Sequence, residues 1–493
     1  MDLPPPDSTT ELDHKVIPLV EHKTTPPLLR CPVDIVNLIL GFLAQSDLGA
    51  AGLVNKALLT LAEPFLYSEI RVSWPLCVDH PPIFRLLRNI ARRPHLALYI
   101  RSFTVDGEIT GRPYCGRSNC QYLQDNRRSS RGERRYFDRP EIEEIIAFAK
   151  RLELPGPDRD TWTKALKHGS RDALIAVLLS RLVNLRSLKL AEGVAKNSRF
   201  IGMILRSALC EPASSHGLPT FEHVCDVSFN LTINNPKHST QADLNIPTVL
   251  RADVLPFFYL PGIQSLSLTI DDLHADFQWP ASIPPVPKTL TSLELTCPKG
   301  QYLGPILAVT KGLLKSLHWI WHYRRYHQED VHVVNLNEIG AAIHQLSDTL
   351  TDLAISAKDG YPIGGNPFPP VSRGSLRELG YCDHLTRLMV PFIFLVGWPI
   401  HTDAAAQIKQ ILPKSLEYLT ITDGTLNYGN SQVEELQLAA MRPWLENWQA
   451  YTPRLRLFWL LFRVVRQRWL RPMQTRLELL CTQVGLPVRI SYF

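Results

Sequence analysis

Hydrophobic residues are spaced in two different ways along this chain, and each spacing predicts a different kind of element. Near the N-terminus, apolar positions recur every three or four residues, as they do along one side of an α-helix. Over most of the remaining chain they follow the order apolar-x-x-apolar-x-apolar, which is typical of a short strand with one buried face. The pattern therefore predicts a helical segment followed by an α/β region rich in short strands.

Three helices are predicted in the N-terminal segment. The first covers Cys31–Leu43, where Pro32 suits the first turn and Asp34 lies at the positive end of the helix dipole. Ser46 and Asp47 are candidates to cap the second helix. The third is predicted from four apolar residues at helical spacing, which are Leu58, Leu61, Ala62 and Phe65. The first helix is apolar nearly all round, so either the rest of the chain or a partner protein must cover both of its sides.

Within residues 29–70, a proline with an acid, paired aliphatic residues, an Asp-Leu pair and a Val-x-Lys triplet follow one another. These positions are Cys31–Ile35, Ile39, Leu40, Leu43, Asp47, Leu48, Val54, Lys56 and the closing LAEPFLY of residues 61–67. In this order and at this spacing, the segment resembles an F-box, the module that docks on the Skp adaptor of cullin-based ubiquitin ligases.

The resemblance implies that a set of residues contacts or supports the adaptor. The set is Pro32, Ile35, Ile39, Leu40, Leu43, Leu48, Val54 and Lys56. Cys31 stands where leucine usually precedes the proline, which would weaken adaptor binding. Leu58 stands where tryptophan is common, a variation that is tolerated. The alternative is a small helical subdomain that the rest of the chain covers.

The strand pattern recurs nine times after the helical segment. Its apolar positions are Ile100-Phe103-Val105, Leu185-Leu188-Leu190, Val224-Val227-Phe229, Ile263-Leu266-Leu268, Leu290-Leu293-Leu295, Leu314-Leu317-Trp319, Leu350-Leu353-Ile355, Leu376-Leu379-Tyr381 and Leu416-Leu419-Ile421. A further triplet, Leu385-Leu388-Val390, competes for register with the triplet that begins at Leu376. Polar residues alternate with the apolar ones in several units, as in NLRSLKL and TLTSLELT.

This series resembles leucine-rich repeats, although only three of its spacings fall within the usual period of about 20–29 residues. The resemblance implies a curved solenoid with a parallel sheet on its concave surface, because each unit must stack on its neighbours to bury its apolar face. A concave surface of this kind suits the binding of another protein. The alternative is a nonrepeating α/β domain with several leucine-rich strands.

The expected fold class is therefore α/β, with a small helical F-box followed by a leucine-rich-repeat-like solenoid. Four regions are predicted: a flexible proline-rich leader over residues 1–27, the F-box over 28–75, a connecting region over 76–175 with the first repeat strand and an Arg-rich insert at 110–140, and the solenoid with a C-terminal cap over 176–493.

Composition indicates a soluble intracellular protein, in the cytoplasm or the nucleus. The nine cysteines are an odd number without a repeated pair spacing, which favours reduced thiols. The proline-rich, acidic start does not have the basic end and apolar run of a secretory signal. The longest apolar stretch, Met389–Ile400, is shorter than the ~20 residues that span a bilayer.

Common catalytic and nucleotide-binding motifs do not occur in the sequence, so no catalytic residue, metal or cofactor is predicted. Cys115 and Cys120 have no second pair at zinc-finger distance. Four histidines, at 318, 322, 327 and 332, have irregular spacing, which favours a polar aromatic loop over a metal site. An unrecognised hydrolase would need a nucleophile and a base that only the fold brings together.

Aromatic residues and arginines, which are enriched in binding hot spots, are concentrated after position 318. The predicted substrate-binding patch consists of Trp319, Trp321, Tyr323, Arg324, Arg325 and Tyr326. In the alternative, the two tryptophans belong to the core and the arginines are solvated.

The net charge of +6 is concentrated in two segments. Residues 112–139 contain eight arginines and three acidic residues, and are predicted to be a disordered insert. Residues 454–476 contain seven arginines and no acidic residue, and are predicted to form an amphipathic helix. This helix would cap the solenoid or bind a membrane surface or nucleic acid. The rest of the chain is therefore mildly acidic.

Together, the two resemblances imply a non-catalytic substrate receptor of an SCF-type ubiquitin ligase. Its partners would be the Skp adaptor, through it a cullin scaffold, and an unknown target protein. The alternative is a protein that binds nucleic acid or an anionic surface through segments 112–139 and 454–476, and nucleic acid is the less expected partner.

Overall fold

The computed structural model describes most of the chain. The described residues are 27–73, 82–106, 140–152, 156–191, 198–211, 217–229, 251–270, 277–297, 300–323, 333–359, 371–397, 404–422, 431–462 and 467–492. The predicted leader and the predicted Arg-rich insert lie almost entirely outside these residues. The chain divides into two compact units, an N-terminal unit that ends at Leu66 and a larger unit that begins at Tyr67.

Three helices form the N-terminal unit, as the sequence predicts. They are α1 (Val33–Gly41), α2 (Gln45–Val54) and α3 (Lys56–Ser68), which runs two residues past the unit boundary. Four side chains make up the buried core of this unit: Val36, Leu40, Leu48 and Ala62. Leu43, Leu61, Phe65 and Leu66 are partly buried against them. The third helix was predicted from Leu58, Leu61, Ala62 and Phe65, and Leu58 is also buried.

The capping prediction for α2 was wrong. The N-cap is Ala44, so Ser46 and Asp47 lie inside the first turn and their side chains do not cap the helix. Asn55 takes a capping role one helix later, because its Oδ1 accepts a hydrogen bond of 2.7 Å from the backbone N–H of Ala57 at the start of α3. Its extended backbone, between two helices, allows this geometry.

Fourteen strands lie in the described part of the larger unit. They are β1 (Glu69–Ser73), β2 (Ser102–Asp106), β3 (Ser187–Leu190), β4 (Asp226–Phe229), β5 (Ser265–Thr269), β6 (Ser292–Cys297), β7 (Ser316–Tyr323), β8 (Val333–Asn335), β9 (Asp352–Asp359), β10 (Val371–Arg373), β11 (Arg387–Pro391), β12 (Tyr418–Thr422), β13 (Leu457–Phe462) and β14 (Val488–Tyr492). Twelve of them form one sheet, and β8 pairs with β10 separately.

In the large sheet, every described pair of neighbouring strands is parallel and the strands follow chain order, with β8 and β10 left out. Leu188, Val227, Leu266 and Leu293 stand at the same level on four successive strands. Their side chains enter the core. Parallel strands require crossover connections, which here contain most of the helices.

Eight of the nine predicted triplets coincide with strands of this sheet. The triplet Leu376-Leu379-Tyr381 does not, because residues 377–381 form a 3-10 helix. The competing triplet, Leu385-Leu388-Val390, provides β11, where Leu388 pairs with Leu353 and Leu419. Both triplets bury leucines, so apolar spacing alone did not separate them.

The sheet also extends beyond the predicted strands at both ends. β1 precedes the first predicted triplet, and β13 and β14 follow the last. The predicted amphipathic helix over 454–476 was therefore wrong in its first half, where Leu457–Phe462 is a strand. A run that is apolar on both faces fits a strand or a buried helix equally well.

The helices of the larger unit lie in the connections between strands. They are α4 (Pro82–Arg92), α5 (Pro140–Ala149), α6 (Gly156–Lys167), α7 (Arg171–Leu179), α8 (Arg199–Leu209), α9 (Arg251–Val254), α10 (Leu303–Ala308), α11 (Leu336–His344), α12 (Phe392–Val396), α13 (Ala404–Ile411), α14 (Ser431–Leu445), α15 (Trp448–Tyr451) and α16 (Gln467–Gln483). Their apolar residues and the inward-facing strand residues form one continuous core.

The fold class is accordingly mixed α/β with a large parallel sheet. One side of the sheet packs on the helices, and alternate strand residues face the other side, as the burial pattern of β12 illustrates. Among the helices that the structure describes, none has the length and apolar character needed to cross a membrane.

Candidate functional site

Helix α1 exposes an apolar surface on the N-terminal unit. Val36 and Leu40 point into the core, and other apolar side chains of the helix and its C-terminus remain in solvent. The exposed residues are Val33, Ile35, Leu38, Ile39 and Phe42, and Phe42 is 84% exposed. We call these five residues the α1 surface. Within the N-terminal unit, a helix that is apolar nearly all round thus has only one side covered.

The residues predicted to contact the adaptor divide into two groups. Pro32, Ile35, Ile39, Val54 and Lys56 are exposed, whereas Leu43 is half-buried and Leu40 and Leu48 are core residues. Leu40 and Leu48 can therefore support the surface but cannot contact a partner directly.

Five exposed large apolar residues of the N-terminal unit were not in the sequence-based selection: Val33, Leu38, Phe42, Leu53 and Leu59. Leu53 is 90% exposed at the end of α2. The all-round apolar pattern of α1 was the signal that could have identified the first three.

On the larger unit, the solvent-facing side of the sheet is mostly polar. At one level across the strands it presents Ser102, Ser187, Asp226, Ser265, Ser292, Ser316, Asp352 and Arg387. Lys189 pairs with Asp226 at 3.3 Å, and Arg387 pairs with Asp352 at 2.9 Å. Such partly exposed pairs contribute little to stability.

A chain of four hydrogen-bonded side chains crosses the middle of this face. Ser267 on β5 donates to Glu294 Oε1 at 2.8 Å, and Glu294 Oε2 lies 3.0 Å from His318 Nδ1. On the other side of the imidazole, His318 Nε2 lies 3.0 Å from Ser356 Oγ. Three neighbouring strands, β6, β7 and β9, thus place a carboxylate, an imidazole and a hydroxyl in line.

Two residues of the predicted substrate-binding patch are core residues. Trp319 and Trp321 are fully buried in β7, and both rings contact Phe394. The indole N–H of Trp319 donates to the sulfur of Cys297 at 3.3 Å. The alternative interpretation of these tryptophans is therefore correct. The Tyr323 side chain and Arg324, Arg325 and Tyr326 lie outside the described part.

Aromatic and arginine side chains meet instead at the C-terminal end of the polar face. The Arg489 guanidinium lies 4.9 Å from the Trp459 ring centre, and Arg387 lies 5.8 Å from that of Tyr418. None of the residues that β11 to β14 present on this face is acidic. Sequence reasoning missed this group because it gathers from four strands that are far apart in the chain.

The predicted basic segments are partly neutralised where they are described. Arg456 lies 3.3 Å from Glu417, and Arg476 pairs with Glu435. Residues 112–139 and residues 463–466 lie outside the described residues. The anionic-surface alternative stays a prediction.

No group of three or more metal-binding side chains occurs in the described ranges. Cys115 and Cys120 and three of the four clustered histidines have no described side chain, and His318 contacts Glu294 and Ser356. Burial raises the pKa of the Cys297 thiol to about 12 and that of Cys382 to about 11, so both are poor nucleophiles.

Comparison of the chain with models of known protein families gives no match, and comparison with curated proteins gives none.

Proposed function

We propose that this chain is the substrate-recognition subunit of an SCF-type ubiquitin ligase. In this proposal, the N-terminal unit is an F-box that docks on the Skp adaptor, and the larger unit is a leucine-rich-repeat-like solenoid that holds a target protein. The observation that carries the proposal is the α1 surface, which lies in the segment that resembles an F-box.

The energetics favour a protein partner for the α1 surface. Full burial of a valine, leucine, isoleucine or phenylalanine side chain contributes roughly 1.5–3 kcal/mol. Contiguous exposed apolar residues on a soluble protein mark interaction sites. Val54 and Lys56, at the junction of α2 and α3, would extend the same contact if the resemblance holds.

The sheet of the larger unit supports the second half of the proposal. Parallel strands that follow chain order, with helices in most of the connections, are the topology of a stacked repeat array. We infer that the polar face of the sheet is the target-binding surface. Its hydroxyl groups and its aromatic and arginine side chains suit a protein ligand.

A receptor of this kind does not need catalytic groups of its own for ubiquitin transfer. Its contribution is proximity, because a bound target holds its lysines at a high effective concentration near the ubiquitin-conjugating enzyme.

Adaptor binding by the full chain is the decisive test. Ile35→Asp with Ile39→Asp places two charges on the α1 surface without touching the core of the unit. We expect the wild type to co-purify with Skp adaptor and this variant to lose at least 10-fold in affinity. Ile283→Asp is the matched control, since Ile283 is a 73% exposed isoleucine of the larger unit.

Two outcomes would refute the proposal: a wild-type chain that does not bind purified Skp adaptor, or a double variant that binds as tightly as the control. Circular dichroism of each variant checks that the helices are retained.

A further inference from the structure

The hydrogen-bond chain on the polar face places three functional groups in a specific chemical order. Glu294 can only accept hydrogen bonds when it is ionised, so the neutral imidazole of His318 carries its hydrogen on Nδ1. Nε2 is then an acceptor, and the hydroxyl of Ser356 donates to it at 3.0 Å. The order is hydroxyl, imidazole, carboxylate, with both distances in the range that a nucleophile and its base require.

A fourth side chain holds the carboxylate. Ser267 donates to Oε1 of Glu294, and Oε2 is the oxygen that lies next to His318 Nδ1. The imidazole is therefore held from both sides in one orientation. The carboxylate also stabilises the imidazolium that forms when His318 takes a proton.

These groups are reachable from solvent. The side chains of His318 and Glu294 are 30% and 35% exposed, and Ser356 is half-buried. Pairing of β9 with β7 continues to Asp359, whereas its pairing with β11 ends at Ala354, two residues before the serine. Beyond Ala354, the edge of β9 that carries Ser356 is therefore not paired with β11 in the described residues.

We propose that Ser356, His318 and Glu294 form a nucleophilic triad that accepts acyl groups from small activated esters. This activity goes beyond the proposed receptor function and is independent of adaptor binding. Ser356 is the nucleophile, His318 is the general base, and Glu294 is a positioning residue that acts through His318.

The reaction balances with the ester and water as the only reactants. Ser356 Oγ attacks the ester carbonyl carbon while its proton passes to His318 Nε2, and a tetrahedral oxyanion forms. The bond to the leaving alcohol or phenol breaks, and that group takes the proton from the imidazolium. Water then attacks the acyl-serine with His318 again as base, releasing a carboxylic acid and restoring the hydroxyl.

The surroundings of Ser356 define the class of substrate. At Ser356, β9 pairs with β7 but no longer with β11, so backbone donors for an oxyanion would have to come from the unpaired side of the strand. Stabilisation of the oxyanion is usually the largest single contribution to catalysis. The triad is therefore suited to esters with a good leaving group, such as aryl esters, and turnover should be slow.

Covalent labelling of the full chain tests the nucleophile. A fluorophosphonate reagent should phosphonylate Ser356 with loss of fluoride, located by peptide mass spectrometry, and p-nitrophenyl acetate should be hydrolysed with a burst of p-nitrophenol. Ser356→Ala should remove both signals. Ser228→Ala, a serine on the same face of β4, is the matched control and should retain them.

The base and the positioning residue have separate readouts. His318→Asn should lower the labelling rate at least 100-fold. Glu294→Gln should lower the labelling rate and Glu294→Asp should restore part of it, because the carboxylate orients His318 and stabilises the imidazolium. Absence of labelling in the wild type, labelling that survives Ser356→Ala, or an unchanged rate in His318→Asn would each overturn the proposal.

Discussion

Asp172 shows how tertiary packing changes the chemistry of a single residue. Its carboxyl group is buried in α7 and accepts hydrogen bonds from the backbone N–H groups of Phe200, at 2.6 Å, and Ile201, at 3.0 Å, in the first turn of α8. Burial raises the pKa of Asp172 to about 7, the two hydrogen bonds act in the opposite direction, and the nearby Asp253 adds to the rise. The pKa of Asp253 is also raised by burial.

This shift predicts a pH-dependent stability. A carboxyl whose pKa is raised by folding adds stability that is fully present below its unfolded pKa, near about 4, and that is lost as the pH rises through about 7. Asp172→Asn cannot titrate. We therefore expect its melting temperature, relative to the wild type, to rise between about pH 4 and pH 7, measured by circular dichroism. The exposed Asp383→Asn should show no such trend, and a pH-independent difference for Asp172→Asn would contradict the assignment.

The sequence contained no sign of this site. Ser170 is the N-cap of α7, and its hydroxyl accepts a hydrogen bond from the backbone N–H of Ala173. Asp172 lies in the first turn, so Ser170 and Asp172 together have the pattern of an ordinary helix start. Only the approach of α8, 28 residues further along the chain, turns the aspartate into a buried group. Ionisable groups that acquire their environment from distant residues are invisible to local patterns.

At the scale of elements, strand β7 shows which part of a pattern is reliable. The apolar spacing placed the strand correctly, since Leu317 and Trp319 are both core residues of Ser316–Tyr323. The same spacing did not indicate that Trp321 continues the buried row, with Phe394 of α12 packed on both tryptophans. The aromatic residue types suggested a binding patch at Trp319 and Trp321. Whether these side chains are buried depends on Phe394, which packs on them from a later part of the chain.

Trp319→Ala tests the assignment of this residue to the core. Trp319 is 0% exposed and makes a ring contact and an indole hydrogen bond. We expect the substitution to lower the free energy of unfolding by about 3–5 kcal/mol, measured by denaturant unfolding followed by circular dichroism. The control Tyr381→Ala removes an aromatic ring that is 65% exposed and should cost less than about 1 kcal/mol. Equal effects would contradict the core assignment.

At the scale of the whole molecule, the two units have cores of very different size. A cluster of four buried apolar side chains stabilises the N-terminal unit, whereas the continuous core of the larger unit includes buried residues of eleven strands of its sheet, and β14 packs against it with partly buried residues. A small core opens locally at a lower free energy than a large one. A ligand that binds only the folded form adds stability by mass action.

Hydrogen exchange measured by mass spectrometry should therefore show different amide exchange rates in the two units. We expect the amides of α1 to α3 to exchange faster than those of β5 to β7, and Leu40→Ala to accelerate only the former, since this class of substitution costs about 2–5 kcal/mol. Addition of Skp adaptor should slow the exchange of α1 if the proposed function is correct. Equal protection of both units in the free chain would show that core size does not govern their opening.

The sequence by itself determined the three N-terminal helices, eight of the nine predicted strand positions and the mixed α/β class, because these depend on apolar spacing over a few residues. Only the tertiary structure decided between the competing triplets near Leu376 and Leu385, buried Trp319, and left the α1 surface in solvent. It also aligned Glu294, His318 and Ser356, which stand 24 and 38 residues apart. These outcomes depend on strand register and on contacts between distant segments, which a local pattern of apolar and polar residues does not encode.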